Sequence, residues 1–119
     1  MIAEKIYNLL PQDWPLVIGD LPATKNVVVG IVEYDGATST EYFGTKTDSS
    51  IFSPIVKVVI RHTSYETGGQ WLTQVRDELH RYHDDTILSI LMVGAPMYLG
   101  RTSEKLYEFQ VTFKAQVKE

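Results

Sequence analysis

Histidines, carboxylates, hydroxyls and glycine turns are the groups from which a small chain could build a reaction centre, and this sequence offers four arrangements of them. His80 and His83 stand three residues apart with Asp77 and Asp84 within a helical turn, the one metal-like cluster in the sequence. A catalytic zinc needs three ligands converging from fixed elements with supporting partners behind them. Here every candidate falls on one face of one helix, and Arg81 with protonated histidines equally suits a helix C-terminus. His62 ends the apolar face of a strand, where a general base could sit. No cysteine exists, however, and no serine occupies a Gly-x-Ser-x-Gly turn, so an edge histidine satisfied by its neighbours is the plainer reading. Gly44-Thr45-Lys46-Thr47 has the residue types that end a phosphate-binding loop, but Ser39 stands where its first glycine belongs and no helix follows. Glu41, Asp48, Glu66 and Asp77 never pair at a spacing that would set two carboxylates across a cleft. The sequence therefore assigns no catalytic, cofactor-binding or metal-binding residue, and the chain reads as no enzyme.

The elements that would position such groups are legible from periodicity. From Leu106 to Val117 the chain alternates: Tyr107, Phe109, Val111, Phe113, Ala115 and Val117 point one way, and Glu108, Gln110, Thr112, Lys114 and Gln116 the other. A strand with one dry and one wet face belongs to an antiparallel sheet covered on a single side. Ile2, Ile6, Leu9 and Leu10 recur at helical spacing until Pro11, predicting a short amphipathic helix lying on that sheet. Residues 12–25 read as a connector packed by Trp14, Leu16 and Ile18. The β-branched run within Asn26–Asp35 predicts a central strand, and its Gly30 a close approach by another segment.

Residues 36–50 are rich in Thr, Ser and Gly, and form either a hairpin or a flap whose Tyr42 and Phe43 dock on a surface. Ile55–Thr63 alternates, with Val56, Val58 and Ile60 opposite Lys57 and Arg61. A helix follows on the stripe Leu72, Val75, Leu79, Tyr82 and runs to about His83. Its cap is Thr67 or Ser64, and the latter puts Gly68 and Gly69 inside the first turns at a cost of roughly 1 kcal/mol each unless close packing offsets it. Ile87–Val93 is the next strand, Gly94-Ala95-Pro96 a bend, and residues 98–105 a polar turn before the final strand. The expected fold class is α+β: one mostly antiparallel sheet of about four to five strands with helices on one face, in α-β-β-α-β-β order.

At 119 residues the chain is expected to form one domain, 1–119, burying roughly 65% of its unfolded surface. A composition 44% hydrophobic and 22% charged is that of a globular protein rather than a disordered one. The absence of cysteine excludes disulfide and thiolate-metal sites and favours a reducing cytosol. The N-terminus does not read as a signal peptide, and no segment approaches the roughly 20 apolar residues of a membrane helix. A net charge of −4 with scattered basic residues argues against a dedicated nucleic-acid binder. The polar face of the last strand, with Lys57 and Arg61, meets either water or another subunit.

The order of elements, and the stretch Val58-Val59-Ile60-Arg61-His62-Thr63-Ser64-Tyr65-Glu66 running into an amphipathic helix, resembles the tail terminator and minor capsid proteins of long-tailed bacteriophages. Arg61 and Tyr65 fill the family's places for an arginine on the strand and an aromatic at the start of the long helix. Pro96-Met97-Tyr98-Leu99-Gly100 resembles its turn before a long strand. The resemblance implies a ring, typically hexameric, on the head-proximal end of the tail tube, which stops tube polymerisation and presents a surface to the head–tail connector proteins. Its partners would be further copies of itself and the tail tube protein. DNA would pass through unbound, no membrane would be involved, and no cofactor is implied. The protein would assemble in the bacterial cytoplasm and end in the virion. Subunit or tube contacts are expected at Tyr42, Phe43, Arg61, Tyr65 and Glu66. A head-completion protein or tail-tube adaptor is the alternative within the same neck region. A ferredoxin-like ligand-binding module is the alternative outside it, disfavoured by the uneven loops.

Overall fold

The computed structural model describes residues 2–22, 24–34, 51–102 and 105–118. Helix α1 spans Ile2–Leu9, followed by strands β1 (Leu16–Ile18), β2 (Val28–Tyr34), β3 (Ile51–Phe52) and β4 (Ile55–His62). Helix α2 covers Tyr65–Leu79, and β5 (Ile87–Met92), β6 (Met97–Arg101) and β7 (Tyr107–Lys118) complete the chain. The class is α+β, as expected, and the described residues place seven strands in one sheet where four to five were expected, because the connector and the turn before β7 also supply strands.

The twelve-residue β7 organises the sheet. Along one edge it pairs antiparallel with β4, Ile60 facing Phe109 and Val58 facing Val111, and beyond it with β3. Along the other edge β5 and β6 lie end to end, also antiparallel to β7. Strand β2 adds outside β4, and β1 pairs parallel with β2. Alternation decides which side each residue faces: Val56, Val58, Ile60, Phe109, Val111, Phe113 and Ala115 are all buried beneath the helices. Against them α1 contributes Ile2, Ala3 and Ile6, and α2 contributes Leu72, Val75 and Leu79. These apolar stripes supply most of the stability of both helices, since helices of eight and fifteen residues are marginal alone.

Three expectations are refined and one is met. The connector 12–25 contains β1, and Ile18 points outward rather than packing it. The close approach at Gly30 is real: a Cβ there would lie 2.6 Å from Leu21 Cδ2. Helix α2 ends at Leu79, not near His83, because His80 leaves the helical conformation and Arg81 takes φ 69°. Tyr82 continued the apolar period only because the ensuing turn folds it back onto the core. The first half of the expected polar turn 98–105 belongs to β6, whose pairing with β7 overrides its Gly100 and polar flanks.

Of the two candidate caps, Ser64 is the one used, its hydroxyl accepting from the Thr67 N–H at 3.2 Å. Gly68 and Gly69 accordingly lie inside α2. A Cβ on Gly68 would stand 2.5 Å from Phe109 Cε1, whereas one on Gly69 would meet nothing within 4 Å. Close packing on the sheet thus accounts for the first glycine and not for the second. Tyr42, Phe43 and the hairpin-or-flap question over 36–50 lie outside the described residues.

Candidate contact surface

His62, His80 and Asp84 are engaged locally, while Glu41, residues 44–47 and Asp48 lie outside the described residues. His80 accepts the Met92 N–H on Nδ1 at 3.0 Å, tying the end of α2 to β5. His62 accepts the Ser64 N–H on Nδ1 at 2.9 Å, and its ring stands edge-on to Trp71 at 4.8 Å. Burial there disfavours the imidazolium, so the His62 pKa is lowered. Trp71 in turn stacks on Trp14 with centroids 4.7 Å apart. Among the described residues no three histidines or carboxylates gather where a metal ion could be held.

Asp84 serves the fold. Its Oδ1 accepts the backbone N–H groups of Ile87 and Thr86, closing the turn into β5, while Oδ2 accepts from the Tyr82 hydroxyl and pairs with Lys5 of α1 at 2.9 Å. The Ile87 N–H, then Lys5, hold its carboxyl well below the usual range, and the same bond raises the Lys5 pKa.

Arg61 and Tyr65 occupy opposite sides of the sheet. Arg61 leaves β4 on the face that carries no helix among the described residues (the helix-free face), donates from Nε to Glu108 Oε2 at 2.9 Å, and reaches the carbonyls of Pro22 and Lys25 with Nη1. It clasps the connector onto the sheet. Tyr65 opens α2 and is 54% exposed, its ring T-shaped to Tyr98 at 5.1 Å and close to Tyr107 and Phe109 at 5.7 and 5.6 Å. The Arg101 guanidinium lies over Tyr107 at 5.8 Å. Glu66 is exposed beside Tyr65 on the first turn of α2. The geometry therefore joins Tyr65 and Glu66 in one patch and holds Arg61 apart from them.

Sequence reasoning missed Tyr98, because Gly100 and the polar residues after it suggested a turn. The available signal was apolar: Met97, Tyr98 and Leu99 in succession before a strand. Of the ten exposed large apolar side chains among the described residues, six lie between Leu88 and Leu99, on the outermost arm of the sheet. Single exposed apolar residues are ordinary, but a concentration of them marks a surface that works by contact.

What this scaffold offers is a two-layer frame carrying exposed aromatic and aliphatic groups and, among the described residues, no reaction centre. The model of the bacteriophage tail terminator proteins matches residues 5–119, and the chain belongs to that family. It is thus a structural, non-enzymatic protein of the phage tail and a component of the virion. No curated protein sequence matches it. Its fold is similar to that of a chain in the solved structure of the virion of a native gene transfer agent particle, with a TM-score of 0.58. The two are 10% identical over 96% of this chain and 84% of that one.

Proposed function

We propose that the protein forms a closed ring, hexameric in number, at the head-proximal end of the tail tube. The ring ends tube polymerisation and gives the head–tail connector proteins a surface to join. A heterologous contact that closes on itself cannot propagate a filament, and a ring occupying the tube's last growth surface leaves no place for the next tube subunit. The observation that supports this reading most strongly is the apolar arm Leu88–Leu99 with Tyr65 beside it. Such a surface is stabilised when another chain covers it, at roughly 25 cal/mol for each Å² of apolar area removed from water. The net charge of −4 suits a channel through which DNA slides without adhering.

Light scattering across a wide concentration range, with negative-stain imaging of the same fractions, tests ring formation. Closed particles of uniform subunit number support it. A 13.5 kDa species at every concentration, in a protein that also leaves tube ends bare, contradicts it.

A further inference from the structure

We propose that the helix-free face of the sheet is the surface that receives α2 of the next copy, so that the subunit contact joins sheet to helix. This rests on the ring reading above and names the two surfaces that would meet. Lys57 of β4 pairs with Thr112 of β7, and Ile55 with Lys114. The two lysines are therefore diagonal neighbours on the uncovered face, about 7 Å apart at the backbone. Around them stand exposed Tyr34, Ile55, Leu91 and Val93. Lys57 lies over the Tyr34 ring at 5.4 Å, and neither lysine forms an ion pair among the described residues. The third cation of this face, Arg61, is neutralised by Glu108. The face is thus mixed: polar β7 side chains bordered by exposed apolar groups and, among the described residues, two lysines without an ion pair.

Its occupant follows from sign. A second sheet face laid on the first would bring Lys57 and Lys114 against their own copies, a like-charge contact that costs stability. The outer surface of α2 has the opposite character. Glu66, Gln70, Thr73 and Asp77 follow one another at i, i+4, i+7 and i+11 on its exposed side, with Glu78 adjacent. The only basic partner along that side is Arg76, bonded to Asp77. Tyr65 at the helix start adds an exposed aromatic anchor of the kind that dominates interface energies. Basic sheet against acidic helix uses two different patches of one molecule, the heterologous geometry a ring requires.

Charge reversal tests the pairing. One variant carries Lys57→Glu and Lys114→Glu, the other Glu66→Lys and Glu78→Lys. Each is checked for native circular dichroism, then assayed for rings in solution and at tube ends beside the wild type. The expected result is a tenfold or greater rise in the concentration at which either variant assembles alone. An equimolar mixture should restore assembly, because each variant's reversed sheet or helix then meets its complement. Rings formed by either variant at the wild-type concentration, or a mixture of folded variants that fails to recover, would overturn the sheet-to-helix contact and leave the ring standing. A wild type that forms no ring in either setting would remove both. Rings that persist in the lysine variant while retention on double-stranded DNA is lost would reassign the face to the channel and overturn the inference.

Discussion

Arg61 and Glu108 join neighbouring strands on the side of the sheet that carries no helix, with Nε to Oε2 at 2.9 Å and side chains only 15% and 24% exposed. The same guanidinium reaches the Pro22 and Lys25 carbonyls, so one side chain secures two strands and the connector beyond β1. Arg61→Ala should lower unfolding free energy by about 2 kcal/mol, in the range for hydrogen bonds to charged groups. Arg61→Lys should recover only part of this, since an ammonium lacks the planar fork that serves several acceptors. Urea denaturation of both variants checks the order; an unchanged midpoint for Arg61→Ala would show the clasp to be inert.

The paired glycines of α2 give opposite signs. Gly68→Ala should destabilise by about 1–3 kcal/mol, because its Cβ would drive into the Phe109 ring inside a packed core. Gly69→Ala should stabilise by about 0.5–1 kcal/mol, since its surroundings are open and alanine loses less backbone entropy in a helix. Thermal unfolding of the two single variants is decisive, and destabilisation by both would contradict the packing described.

Acid should unfold the protein in two stages. The folded-state pKa of His62 is lowered by burial, so the unfolded chain takes up the proton first. The stability His62 contributes is full above about pH 6.5 and declines as pH falls through its folded value. Asp84 has a depressed carboxyl pKa, so its contribution is full above about pH 4 and is lost as pH drops below that. Asp84→Asn should lower the melting temperature at neutral pH and flatten the steep part of its fall below pH 4. His62→Gln should remove the shallower decline above it. Melting curves between pH 3 and 8 measure both, and a wild-type profile for Asp84→Asn would refute the role given to that turn.

Much of this architecture was legible because alternation and helical spacing are imposed by burial on one side. The dry face of β7, the opposition of Val56, Val58 and Ile60 to Lys57 and Arg61, and the short helix ended by Pro11 all follow from that one constraint. What sequence could not supply was pairing. The short apolar run Met97–Leu99 does not by itself outweigh Gly100 and the polar residues after it; the edge of β7 does, by pairing with Met97–Arg101. Nothing local to Glu108 announces Arg61, 47 residues earlier, as its partner. The aromatic patch has the same origin, because Tyr65, Tyr98 and Tyr107 come from three separate elements. Of the residues that carry the family resemblance, Arg61 and Tyr65 receive separate tasks from the fold, one clasping the connector and one facing outward.

Tyr65→Ala should leave the monomer close to wild type, within about 1.5 kcal/mol, because the ring is half exposed and its loss removes mainly aromatic edge contacts. Its effect on assembly should be larger than its effect on folding. The double change Tyr42→Ala, Phe43→Ala tests the aromatics of the 36–50 segment in the same way. Comparison of melting temperature with assembly midpoint separates the two effects, and wild-type ring formation by the double variant would discard that segment as a contact.

The protein is proposed to end tail growth. The most direct test of this role is the length distribution of tail tubes, measured by negative stain after the tube protein polymerises with and without the purified chain. Shorter tubes are expected, each capped at one end by a ring, with mean length falling as the ratio of chain to tube protein rises. Tubes of unchanged length with bare ends at a molar excess of the chain would contradict that role.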